Sequence, residues 1–309
     1  MKQRGVAAVT ALLIVAIAAS TAMFMLSQQS ALLGQASLVA SRAQADQYAR
    51  AGLDWARGVI AEDGRNASAV DSLGEPWAQP ITAMPVERAL VSGVLVDEQG
   101  KYNLNNLVNI VDKKPSANDE KILRRLFTAL GVSEDLVPAV IDWIDTDSDL
   151  AGPGGAEDAY YLGLARPYRP ANQPMVQVDE LYRIRGFDAA TVAKLKPFVT
   201  ALPARTAVNV NTAPLEVIAA IAPDVPAGQI ADFVKSRSTL PLKSTKEITD
   251  RWPKVVAGTL GNDLDVKSGY FIARVQVAQD EVQLASEALI ERKPNAAGVT
   301  VIIWRRPLY

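Results

Sequence analysis

The sequence predicts an α+β protein: a long N-terminal helix rooted in a membrane, one antiparallel sheet, and a helical insertion that interrupts the sheet. Three observations carry this prediction. Residues 5–41 contain no charged side chain over 37 consecutive positions. Strand-type alternation occurs only before about residue 112 and after about residue 262. The block between them, 113–261, shows helical patterns alone.

The first element follows from composition and length. Val6 to Leu26 is a run of 21 predominantly apolar residues, enough at about 1.5 Å per residue to cross a hydrocarbon core of about 30 Å. Lys2 and Arg4 precede it, so the positive-inside bias keeps the N-terminus cytoplasmic and sends the body across the membrane. A cleaved secretory signal is the alternative, with Ala18-Ala19-Ser20 as its small residues. The segment after Leu26 has no proline, and Leu32, Leu33, Ala36, Val39, Ala43, Tyr48, Gly52, Trp55, Ala56 and Val59 recur at spacings of three and four. The expected helix therefore runs over 6–63, with 6–26 in the membrane.

A loop with Gly74, Pro76, Pro80 and Pro85 comes next. Val86 to Asp97 then reads as a strand, and the turn Asp97-Glu98-Gln99-Gly100 pairs it with Lys101 to Leu107 as a hairpin. Helices are expected over 119–130, 137–144, 178–185, 189–199, 213–221, 229–235 and 246–251, with Thr212 as a cap and Pro214 in the first turn. Strands return over 270–278, 281–292 and 299–306. Strands on both sides of a helical block most economically form one sheet. Residues 64–112 and 262–309 are thus one α/β domain, with the long helix packed on an antiparallel sheet and 113–261 as an all-α insertion.

Two helix-turn-helix segments inside the insertion resemble SAM-like or helix-hairpin-helix units, but the second has almost no Lys or Arg to hold phosphates. Overall Lys plus Arg is 32 and Asp plus Glu 34, a net charge of -2, so there is no basic field for nucleic acid. Histidine and cysteine are both absent. That excludes histidine general bases, Ser-His-Asp and Cys-His nucleophile systems, His or Cys zinc sites, and disulfides.

One constellation carries chemistry. Asp145, Asp147 and Asp149 alternate, glycines 152, 154 and 155 let the chain turn back, and Glu157 with Asp158 closes the loop. Hard oxygen ligands point to calcium, one or two ions. The spacing is not that of an EF-hand, because Leu150 and Ala156 stand at its sixth and twelfth positions. The other reading is a solvated acidic loop. A paired-carboxylate glycosidase finds few aromatics nearby and no sugar platform.

Arg4-Gly5 followed at once by the apolar run resembles the prepilin-type signal. The whole chain, including Asp97-Glu98-Gln99-Gly100-Lys101-Tyr102-Asn103-Leu104-Asn105-Asn106-Leu107, resembles the type II secretion minor pseudopilin K family. The resemblance implies a leader over 1–5, cut between Gly5 and Val6 by prepilin peptidase, and a methylated mature N-terminus. It implies a single-pass inner-membrane protein of a Gram-negative bacterium, with a pilin-like domain in the periplasm and calcium in the insertion. It further implies a non-enzymatic role at the pseudopilus tip, with minor pseudopilins I and J, further pseudopilins and secreted substrates as partners. Most pilins carry glutamate as the fifth mature residue; here that residue is Thr10, a departure that is itself a trait of K subunits. Without the resemblance, a periplasmic calcium-binding adaptor with a cleaved Sec signal fits the same residues.

Overall fold

The computed structural model describes residues 3–65, 70–109, 111–255, 262–294 and 296–308, with side chains from Val6 onward. Lys2 of the expected leader, and position 261 at the expected end of the insertion, lie outside the described residues.

In chain order the elements are α1 (Gln3–Arg65), β1 (Ile81–Val86), β2 (Ala89–Asp97), β3 (Tyr102–Asn103), α2 (Ala117–Ala129), α3 (Val137–Ile144), α4 (Asp158–Tyr161), α5 (Ala189–Leu195), β4 (Val199–Thr200), β5 (Val208–Asn209), α6 (Leu215–Ile221), α7 (Ala227–Ser236), α8 (Thr245–Arg251), β6 (Leu264–Asp265), β7 (Tyr270–Gln279), β8 (Val282–Arg292) and β9 (Thr300–Leu308). Without proline to break it, α1 is a single helix of 63 residues. Residues 6–40 are exposed on every side, and among the described helices α1 is the one long and apolar enough to cross a membrane.

The second half of α1 lies on a five-stranded antiparallel sheet of order β1-β2-β7-β8-β9. Side chains alternate across a strand, so Phe271, Ala273, Val275 and Val277 of β7, with Ala288 and Ile290 of β8, share a core with α1. Tyr270, Ile272 and Leu289 point to the opposite face and meet Leu202 of the insertion, with Trp304 alongside. Across these strands the sheet lies between α1 and the insertion. The face that α1 buries is Ala45, Ala49, Leu53, Ala56 and Ile60; of the expected stripe Ala56 lies on it and Tyr48 and Val59 pack at its margin, whereas Leu32, Leu33, Val39 and Trp55 remain exposed. Small residues prevail because the sheet approaches closely: a Cβ on Gly52 would stand 2.9 Å from Cγ1 of Val275.

Several local expectations are corrected. The hairpin partner of β2 is β1, joined through Glu87 and Arg88, and Lys101 to Leu107 does not pair with β2. Tyr102 and Asn103 instead run parallel to Val199 and Thr200. The segment read as a proline-rich loop supplies β1, where Pro85 is tolerated because an edge strand leaves one row of amides unpaired. The insertion is mainly helical, yet β4 and β5 within it form short parallel pairs with β3 and β6, which flank it. Thr212 does not cap a helix; its hydroxyl donates to Oδ2 of Asp97 at 2.6 Å.

The asparagines of the 103–106 segment are buried cross-links, not a polar hairpin edge. Asn105 donates Nδ2 to the carbonyls of Met175 and Leu202, each at 2.9 Å, and accepts from the Met175 amide at 2.8 Å. Asn106 exchanges two hydrogen bonds with the backbone of Thr206. Each satisfies backbone groups that burial would otherwise leave unpaired.

Candidate metal site

The acidic loop begins where α3 ends. All eight residues of α3 are buried, and its one carboxylate, Asp142, is fully enclosed. Oδ1 of Asp142 accepts from the Ala151 amide at 2.7 Å and Oδ2 from the Ala156 amide at 2.6 Å. One side chain therefore clasps both limbs of the loop. The clasp requires glycine at 155, where a Cβ would stand 2.3 Å from Oδ2 of Asp142, and at 154, where φ is +94° and a Cβ would strike the Asp135 carbonyl oxygen. Arg185 braces the outside, donating to the Gly155 carbonyl at 2.9 Å while stacking 4.9 Å above the Tyr160 ring.

Within this frame the predicted residues divide. Asp145 caps the C-terminus of α3 and, at 2% exposure, is buried; so is Glu157 at 6%. Oδ1 of Asp145 and both carboxylate oxygens of Glu157 are buried without a hydrogen-bond partner. Burial pushes the Asp145 carboxyl up to about 7, and the charges of Asp147 and Asp142 add to it. Burial also pushes Glu157 up to about 7, followed by the charges of Asp142, Asp145, Asp147 and Asp158. Asp147 is exposed and accepts from the Asp149 amide at 2.9 Å. Asp149 is exposed, and Asp158 opens α4 with Arg169 3.4 Å away.

Among the described residues, no three acidic side chains close to metal-holding geometry. The donor chemistry nonetheless fits a hard cation, because the orphaned atoms are all oxygens. Asn172, which the sequence did not single out, supplies another: its Nδ2 donates to the Asp147 carbonyl at 3.2 Å and its Oδ1 is buried without a partner. Asp142, in α3 just before the acidic loop, is the clasp. Its signal was a lone carboxylate inside an otherwise apolar helix. The fold also gathers aromatics that spacing did not reveal, with Tyr161 5.6 Å from Trp143 and 5.2 Å from Tyr168. Trp143 and Tyr161 are buried, so they form the wall behind the loop.

The apolar helix continuing unbroken onto a sheet, with a helical insertion behind that sheet, defines a membrane-anchored protein of pilin architecture. Residues 100–204 match the family model described as Type II secretion system (T2SS), protein K. The chain is 32% identical over 309 residues to the type II secretion system protein K of Aeromonas hydrophila, covering 94% of this chain and 93% of the relative. It is 35% identical over 280 residues to that of Pseudomonas aeruginosa, covering 87% and 83%. Its fold matches a chain in the crystal structure of the GspK-GspI-GspJ complex from the enterotoxigenic Escherichia coli Type 2 Secretion System, with a TM-score of 0.76 at 24% identity over 87% of this chain and 97% of that one. The chain belongs to the type II secretion system protein K family, whose members are minor pseudopilins.

Proposed function

We propose that this minor pseudopilin is a non-enzymatic tip subunit of the pseudopilus, with its body in the periplasm, assembling with minor pseudopilins I and J. The observation that carries the reading is the position of the insertion behind the sheet, on the face away from α1. A shaft built on packed α1 helices leaves no repeat space for a block spanning 113–261, whereas an end position does. The partners are supported by the fold neighbour, which is part of a complex with I and J subunits.

Thr10 supports the same place. Its hydroxyl donates to the carbonyls of Val6 and Ala7 at 3.1 and 3.0 Å, so it offers an adjacent subunit no carboxylate for an N-terminal ammonium. Such a charge pair is valuable in an apolar bundle. A subunit lacking that glutamate cannot dock beneath one already in place, yet it still offers its own Val6 ammonium to the glutamate of the next to enter, so it enters first and ends at the tip. Processing between Gly5 and Val6 by prepilin peptidase exposes that ammonium.

The orphaned oxygens of the acidic loop support calcium as its resident ion, held by Asp145, Asp147, Asp149, Glu157 and Asp158. The ion would supply the positive charge that allows buried carboxylates to remain ionised and so stabilises the loop.

The mass of the mature N-terminus tests the reading: a start at methylated Val6 is expected. A start near Ser20 or Ala22 overturns it in favour of a Sec-processed calcium-binding adaptor. Immunogold labelling decides position, with label at filament ends expected and label along the shaft contradicting the tip assignment.

A further inference from the structure

Beside the acidic loop, on the flank of the insertion, lies a cleft of about 560 Å3 whose walls include Trp143, Arg169, Gln173, Gln177, Glu180 and Arg183. Its charges are unevenly matched. Glu180 is already engaged: Oε2 accepts from Trp143 Nε1 at 3.1 Å, and Oε1 accepts from the amides of Val176 and Gln177 at 2.7 and 3.3 Å. Asp179 is paired with Lys196 at 2.5 Å. The arginines are freer. Arg183 is exposed and has no carboxylate partner among the described residues. Arg169 is 72% exposed and reaches Asp158 only at 3.4 Å. Tyr168 stands behind the cleft wall, its ring 6.4 Å from that of Trp143 and its hydroxyl donating to the Arg183 carbonyl at 2.6 Å.

We propose that this cleft binds a short acidic segment of a partner protein, its carboxylates pairing with Arg169 and Arg183. A planar guanidinium presents parallel N–H donors that match a carboxylate, and Trp143 in the cleft wall offers an apolar face to the intervening chain. The ligand is short because the cleft adjoins an acidic surface. Ala171 lines it, and the next residue, Asn172, is tied to the Asp147 carbonyl; a long polyanion would lie across the exposed carboxylates of Asp147 and Asp149. The acidic loop thereby selects against nucleic acid and extended sulfated glycans while leaving one or two carboxylates unopposed. The proposal does not depend on the tip assignment.

The test uses the full chain in detergent with calcium present, and a rhodamine-labelled pentapeptide alternating glycine and glutamate, followed by fluorescence anisotropy. Arg183→Gln and Arg169→Gln are each expected to weaken binding about tenfold, the equilibrium effect of roughly 1.4 kcal/mol. The glutamine version of the peptide, which removes both pairs, should lose more affinity than either single variant. Arg88→Gln, at a side chain 74% exposed on the β1–β2 turn, should leave binding unchanged, and thermal melts of all variants establish that they are folded. Equal affinity for the glutamine peptide overturns the proposal, as does an equal loss in Arg88→Gln, tighter binding of heparin than of the peptide, or no binding at millimolar peptide.

Discussion

Ser268 donates its hydroxyl to Oδ2 of Asp97 at 2.6 Å, joining residues 171 positions apart. Asp97 ends β2 as the chain departs for the insertion, and Ser268 stands just before β7 as it returns. Thr212 and Asn209 of the insertion donate to the same oxygen at 2.6 and 3.1 Å. Nearby, Arg292 of β8 holds Asp63 of α1 at 2.7 Å and also bonds Asp71, which accepts from the Ser268 amide at 2.7 Å. The end of α1, the sheet and the insertion therefore meet around three carboxylates and one guanidinium.

This junction has a defined pH signature. Burial, the largest cause, pushes both Asp97 and Asp63 up to about 6 from an ordinary 3.8. The folded chain then holds protons that the unfolded chain releases between those values. The associated stability is fully present below the window and is lost as pH rises through about 6. Thermal melts should show a contribution that declines from pH 4 to 7, and Asp97→Asn should flatten it; an unchanged slope in that variant would contradict the assignment.

Calcium should raise the melting temperature of the protein, and a chelator should lower it. At an ion concentration 100-fold above the dissociation constant the expected stabilisation is about 2.7 kcal/mol. Asp145→Ala and Glu157→Ala should each abolish the difference, because their oxygens are the buried ones. Melting indifferent to millimolar calcium identifies the loop as a solvated acidic stretch.

Asp142→Ala should destabilise the insertion by roughly 3 kcal/mol, since it leaves two loop amides without their carboxylate. Asp142→Asn, which retains one acceptor, should lose less. Denaturant unfolding measures both, and a loss below about 1 kcal/mol in the alanine variant shows that the loop does not depend on the clasp.

Two glycines of α1 should respond oppositely to alanine. At Gly52 the new methyl meets Val275 at 2.9 Å, a contact expected to destabilise by about 1–3 kcal/mol. At Gly34 nothing lies within 4 Å, so the better helix former should add about 0.5–1 kcal/mol to helix stability. Helicity and melting of the two variants compared side by side check the contrast.

Replacing Gly5 by a bulky residue should leave a precursor that retains residues 1–5, visible by intact mass. A mature protein of normal mass from that variant excludes cleavage at this bond.

The amino-acid sequence by itself determined the elements whose cause is local. The membrane span follows from uninterrupted apolar side chains, β7 to β9 from two-residue alternation, and α3 from an apolar run entered at Pro138 and left at Asp145. Even the acidic loop was legible, because alternating carboxylates and glycines are a local pattern. Pairing was not. Both the Asp97–Gly100 turn and the Glu87–Arg88 turn could return the chain to β2, and tertiary structure chose the second, because Tyr102 and Asn103 gain partners in Val199 and Thr200 nearly a hundred residues away. The same holds within the loop: Asp145 and Glu157 differ from Asp149 only in what packs over them, and burial is a property of the assembled insertion. Backbone geometry sets periodicity residue by residue, but enclosure and partner choice depend on contacts between distant segments, which only the folded chain supplies.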